Sequence, residues 1–161
     1  MGGRSTTLRT SARGQLHGHG SAVLLMLSLL LVALVALGGA TTTDPGWYAA
    51  LDRPTWAPSA SVFGPVWTVL YAAMAIAAWR VGRGGLERPG AALALLAYVQ
   101  QLALNAAWTP VFFGLHAPGW ALAVIVALDL VVLLTVVLFV RVERLAGVLL
   151  LPYLGWSLCA T

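Results

Sequence analysis

Residues 89–128, PGAALALLAYVQQLALNAAWTPVFFGLHAPGWALAVIVAL, run for forty positions without a charged side chain. A helix crosses a hydrocarbon core of about 30 Å with roughly 17–25 mostly apolar residues, so this stretch holds two crossings. His116-Ala117-Pro118-Gly119 supplies the turn between them. Outward from it the pattern repeats. Residues 14–43, 54–79 and 145–161 are also free of charge, over 30, 26 and 17 positions. Charged side chains make up 9% of the chain and hydrophobic ones 60%, whereas a soluble domain carries about 25% charge. Mean hydropathy is +0.90. The sequence therefore specifies an all-α integral membrane bundle of five transmembrane helices, at about 21–40, 61–80, 91–113, 120–140 and 145–161. The last has 17 residues, the lower limit for a crossing, so it is expected to be short or truncated.

The connectors test that count. Residues 1–20 contain Arg4, Arg9 and Arg13 and no acid, which reads as a disordered basic tail before a membrane domain at 21–161. Two other readings stay open: a signal-peptide n-region with cleavage at Ala36-Leu37-Gly38, and an organellar transit peptide. With five spans, Arg4, Arg9, Arg13, Arg80, Arg83, Arg88, Arg141 and Arg144 share one side and only Arg53 lies opposite. The positive-inside rule then places the N-terminus in the cytoplasm and the C-terminus outside. Removing one span scrambles this alternation. Residues 41–60 carry Pro45, Pro54 and Pro58 with Gly46, which exclude a continuous helix. Trp47, Tyr48 and Trp56 in the same loop fit the membrane interface, as a plain connector or as a lid over a cavity.

The same arithmetic removes whole classes of function. A net charge of +4 and pI near 10 point to nucleic acid in a soluble chain. Here the arginines sit between spans, so the lipid membrane is the expected partner and nucleic acid is not. Cys159 is the single cysteine, and no phosphate-loop, zinc-protease or serine-hydrolase motif occurs. No metal site is expected. His17, His19 and His116 read as solvated histidines of a tail and a turn.

Polar and aromatic groups converge on three faces. Trp67 and Tyr71 lie four apart on the second span and share a face. Gln101, Asn105, Trp108 and Phe112 do so on the third, and Tyr153, Trp156 and Ala160 on the fifth. Amides deep in hydrocarbon are costly unless they face the bundle and find partners. Such a face suits a flat, largely apolar ligand with polar edges; it equally suits hydrogen bonding and ring packing between helices. Asp129 is the one acid within a span, so its charge must be neutralised by protonation or pairing. It lies nine residues, about 900°, from Trp120, and the two face opposite ways. Pro65, Pro110 and Pro152 each fall within a span and can kink it. Ala103 and Ala107 form a small-xxx-small pair.

These motifs resemble a known family. Trp47-Tyr48, Leu51-Asp52-Arg53-Pro54-Thr55-Trp56-Ala57-Pro58 and Phe63-Gly64-Pro65-Val66-Trp67-Thr68-Val69-Leu70-Tyr71 resemble the start of the TspO/MBR family, the tryptophan-rich sensory proteins and mitochondrial translocators. The stretch from Gln101 through Asn105-Ala106-Ala107-Trp108-Thr109-Pro110 to Gly114, then Gly119-Trp120-Ala121-Leu122 and Leu151-Pro152-Tyr153-Leu154-Gly155-Trp156, continue it in order. The resemblance implies a five-helix bundle, usually a homodimer, with a cavity closed by the first loop. It implies tetrapyrrole ligands, protoporphyrin IX or haem, with no cofactor required. Gly64, Val66, Trp67, Asn105, Trp108, Trp120, Trp156 and Ala160 are the ligand-binding positions carried over. Some bacterial members break porphyrins down in light, and in that enzymatic alternative Trp67 and Trp156 would be the reacting residues. A structural membrane partner without a small ligand is the third reading. Family members continue past Ala160-Thr161 through a Leu-Asn pair and, in animals, a sterol motif. Sterol recognition by that motif is therefore not expected.

Overall fold

A computed structural model describes residues 4–52, 54 and 57–161, with side chains from residue 20 onward; Arg53, Thr55 and Trp56 lie outside the described residues. The order is α1 (Arg4–Thr42), α2 (Pro45–Ala50), α3 (Ala60–Gly82), α4 (Ala91–Thr109), a π-helical turn (Pro110–Gly114), α5 (Pro118–Val142), α6 (Arg144–Leu149) and α7 (Leu151–Cys159). No strand occurs among the described residues. Four segments are long and apolar enough to cross a membrane: Gly20–Thr42, Ala60–Gly82, Ala91–Gly114 and Pro118–Val142. The fifth, Arg144–Cys159, is a shorter apolar helix. At 1.5 Å per residue it is about 24 Å long, less than the hydrocarbon thickness. The chain is a multi-pass integral membrane protein.

Prolines and glycines set the boundaries. No proline occurs before Pro45, and α1 runs back from its apolar span to Arg4, into the segment whose composition reads as a disordered tail. Pro110 opens the π-helical turn, where Leu115 N donates to Pro110 O at 2.9 Å. Pro152 has no N–H to give to the preceding turn, and the last helix breaks at Leu150 into α6 and α7. Pro65 is carried inside α3. Gly90 stands before α4 at φ 83°, a left-handed conformation that side chains rarely adopt.

The helices close into a ring. α1 packs on α3 and α4, α4 on α5, α5 on α6 and α7, and α6 on α3. Lipid tails are as apolar as leucine, so close packing holds such helices together. Small residues make that approach feasible: Ala75, Ala77 and Ala78 of α3 and Ala91, Ala94 and Ala97 of α4 are buried. A Cβ on Gly147 of α6 would lie 2.8 Å from the Val140 backbone nitrogen, so only glycine fits against α5 there. Tyr98 stacks on Phe139 at 5.9 Å between α4 and α5.

Polar contacts fix one end of the ring. Trp79 Nε1 donates to Ser21 O at 2.9 Å, and Arg80 grips Glu143 with two bonds of 2.8 and 3.0 Å. These place the start of the first span and the second and fourth connectors at the same end, as the arginine alternation requires. Glu143 also caps α6 by accepting from Ala146 N at 2.7 Å. Hydrogen bonding from Arg80, more than the opposing loss of hydration, holds the Glu143 carboxyl at about 2, below its ordinary 4.5. A depressed carboxyl stabilises the fold above its unfolded value, and this is lost as pH falls through the folded one. Thermal unfolding of the detergent-solubilised chain should therefore give a lower Tm for Glu143→Gln at pH 7. The gap to the parent chain should close between pH 4.5 and 2; a gap independent of pH would show that the ion pair contributes nothing.

Candidate functional site

The amide of Asn105 lies at the centre of the bundle, 5% exposed. Tyr71 of α3 donates its hydroxyl to Asn105 Oδ1 at 2.8 Å, and Asn105 Nδ2 donates to the Tyr153 hydroxyl of α7 at 3.1 Å. One side chain thus joins three helices. Indole and phenol rings surround this relay. Trp67 stacks on Tyr71 with centroids 5.1 Å apart and lies 6.0 Å from Tyr153. Trp156 meets Phe63 edge-on at 6.2 Å. A second cluster caps the α4 end, where Trp108 stacks on Phe112 at 5.0 Å and Trp47 meets Phe112 at 5.1 Å.

α2 lies over these rings. Asp44 caps it by accepting from Trp47 N at 2.9 Å, and Tyr48 is its buried residue. The Tyr48 ring lies 5.2 Å from Phe63, and its hydroxyl donates to Pro58 O at 3.0 Å. His116, read from sequence as solvated, is half-exposed and packs on Trp47 at 4.6 Å. It holds a positive φ of 50°, with its Nε2 3.7 Å from Asp44. The first loop and the turn before α5 therefore meet over the mouth of the bundle.

Between the α4 end, α5 and α7 lies a partly open cavity of about 240 Å³. Trp108 and Phe112 form one wall, Ala121 and Ile125 of α5 another, and Ala160 and Thr161 the floor. Of the expected positions, Trp108 and Ala160 line it. Trp67 stands at the relay beside Asn105 and Trp156 against Phe63, and Val66 packs partly against the core; none of these lines the cavity. Gly64 is exposed, with no atom within 4 Å of where a Cβ would stand. Trp120 is 75% exposed and faces away from the bundle, so the structure does not bring it to the others. Asp129 is buried on the opposite face of α5, as the 900° offset requires.

Several site residues escape the motif reading. Ala121, Ile125, Asp129 and Val132 follow a helical period and are buried, a face visible in the spacing but uniformly apolar apart from its one acid. The bond from Thr161 Oγ1 to Asp129 Oδ2, 2.7 Å, joins residues 32 apart and has no local signature.

Comparison with known proteins fits this arrangement. The model of the TspO/MBR family matches residues 24–161. The chain belongs to the TspO/MBR family. It is similar to the tryptophan-rich sensory protein of Cereibacter sphaeroides, 43% identical over 139 residues that cover 83% of this chain and 85% of the relative. The translocator protein of Homo sapiens is 43% identical over 112 residues, 68% of this chain and 66% of the relative. The tryptophan-rich protein TspO of Archaeoglobus fulgidus is 36% identical over 140 residues, 85% and 90%. Relatives with sensory and translocator names support a membrane receptor-like role for this TspO/MBR protein.

The relay makes a quantitative demand. Asn105→Leu leaves two buried hydroxyls without their partner, each costing about 1–3 kcal/mol. Its Tm in detergent should fall by several degrees. Adding Tyr71→Phe and Tyr153→Phe should recover part of the loss, because apolar replacement of both partners is nearly neutral. No recovery in the triple variant would mean that the relay is not what binds the three helices.

Proposed function

We propose that this protein is a membrane receptor for tetrapyrroles, protoporphyrin IX or haem, held among Trp67, Asn105, Trp108 and Trp156, with a sensory or regulatory role. The observation that carries this reading is the Tyr71–Asn105–Tyr153 relay with Trp67 stacked on Tyr71, and the Trp108–Phe112 stack further along α4. A flat macrocycle needs extended ring faces with few fixed polar groups between them, and those residues supply both. The resting cavity of about 240 Å³ is below the usual range of about 300–1,000 Å³. A macrocycle therefore enters with rearrangement of the surrounding rings, which α2 meets through Trp47 and Tyr48.

Two further assignments belong to this reading. The arginine-rich end faces the cytoplasm, which puts the N-terminus inside and the C-terminus outside. Ala103 and Ala107 are exposed on α4, on a face where a second copy can approach closely, so the receptor is a homodimer. Porphyrin breakdown in light is the enzymatic alternative. It is favoured by the stacking of Trp67 on the hydrogen-bonded Tyr71, a pair of oxidisable rings.

Titration of protoporphyrin IX into the detergent-purified chain in the dark should quench tryptophan fluorescence saturably. Trp67→Phe and Trp156→Phe should each weaken binding about two- to tenfold, the usual worth of an aromatic contact. Illumination of the complex then separates the readings, since a receptor leaves the porphyrin spectrum intact and a degrading enzyme bleaches it. Absence of saturable quenching in folded protein would remove the tetrapyrrole assignment.

A further inference from the structure

The end of the bundle where Arg80 meets Glu143 carries more positive charge than its acids neutralise. Arg80, Arg83, Arg88, Arg141 and Arg144 lie there with only Glu87 and Glu143. Glu143 is taken by Arg80. Arg83, Arg88, Arg141 and Arg144 are exposed, and none has a carboxylate within ion-pair distance among the described residues. The elements that bear them are held together. Besides the Arg80–Glu143 pair, a Cβ on Gly90 would stand 3.5 Å from Val142 Cγ2, which seats the α3–α4 loop on the end of α5. Like charges gathered without a counter-charge repel, and an anion bound among them relieves that repulsion.

Two of these arginines are already ordered. The chain turns after α3 with Gly85 N donating to Gly82 O at 3.0 Å and Gly85 at φ 86°. Arg88 folds back across this turn, its Nη1 and Cδ 3.4 and 3.5 Å from where a Cβ on Gly84 would stand. The residue before Gly84, Arg83, lays its guanidinium over the Trp79 ring, 4.7 Å from the centroid. That ring is fixed in turn by the bond from Trp79 Nε1 to Ser21 O. Stacking engages the face of a guanidinium and leaves its N–H donors free in the plane, and such a donor fork matches phosphate oxygens. Trp79 also marks depth, because indole rings settle at the membrane interface. Leu86 at the tip of the same loop is 64% exposed. An apolar side chain beside unpaired cations suits a ligand that is anionic at one end and hydrocarbon at the other.

We propose that the α3–α4 loop, residues 82–90, is a binding site for an anionic phospholipid, with the headgroup phosphate on Arg83 and Arg88 and Leu86 at the start of the acyl chains. Arg141 and Arg144, across the Gly90–Val142 contact, add to the positive field without gripping the phosphate. That field repels the ammonium of a zwitterionic headgroup, so the site prefers a lipid of net negative charge. The inference holds whatever ligand the interior of the bundle takes.

Native mass spectrometry of the full chain, purified in detergent with equimolar phosphatidylglycerol and phosphatidylcholine of the same acyl chains, counts the lipids it retains. The parent chain should retain phosphatidylglycerol about tenfold over phosphatidylcholine. Arg83→Gln with Arg88→Gln should bring the two lipids close to parity. Arg141→Gln with Arg144→Gln removes the same charge from the other side of the contact and should keep most of the preference. Prior incubation with excess inorganic phosphate should leave phosphatidylglycerol bound, since phosphate offers nothing to Leu86. Equal retention of the two lipids by the parent chain would overturn the proposal, as would an equal loss of preference in the two double variants. Displacement by inorganic phosphate would show a site for free anions and overturn the lipid assignment. The parent-chain comparison stands even where a variant fails to fold.

Discussion

Hydrocarbon offers Asn105 nothing to bond with, and the rest of the bundle is arranged around that fact. An amide has a donor end and an acceptor end, and here each is taken by a different helix: Tyr71 of α3 gives to it and Tyr153 of α7 receives from it. Because the partners are phenols, meeting the amide's needs also brings aromatic rings to the centre of the bundle. Trp67 then stacks on Tyr71, and Trp156 and Phe63 fill the space beside it. The polar requirement of one side chain thus sets the register of three helices and the chemical character of the interior. Alanine-lined contacts on the outer part of the ring let the helices come close enough for that bonding.

The short last helix follows from the same economy. Arg144–Cys159 is held by polar contacts along its length. Glu143 and Arg80 anchor its start, Tyr153 reaches Asn105 midway, and Thr161 beyond its end meets Asp129. Each anchor is also a place where a charge or a polar group in or beside the membrane is neutralised by another element.

The fold was legible because charge in a membrane protein is punctuation. Gaps between arginines located the spans, the four-, three- and four-residue steps through Gln101, Asn105, Trp108 and Phe112 located the inward face, and Pro152 lay two residues from the break at Leu150. The site was legible only in part. Trp67 and Asn105 meet at the Tyr71 relay while Trp108 joins a separate ring cluster at the α4 end, and Trp120, carried over by family position, points away from the bundle. Position within a motif does not report side-chain direction. The six-residue α2 was hidden by Pro45, since a proline marks a helix start at the first position as readily as it breaks a helix interior. The Thr161–Asp129 bond joins residues 32 apart, which no local pattern encodes.

The central claim is that one interior, organised by Asn105 and walled by Trp67, Trp108 and Trp156, receives the ligand. The most direct test is two-dimensional ¹⁵N NMR of the seven indole N–H groups and the Asn105 side-chain amide during titration with protoporphyrin IX. The account predicts that the signals of Trp67, Trp108, Trp156 and the Asn105 amide move together and saturate, while Trp120 stays in place. Movement confined to Trp120, with Asn105 unmoved, would place the ligand on the lipid face and contradict it.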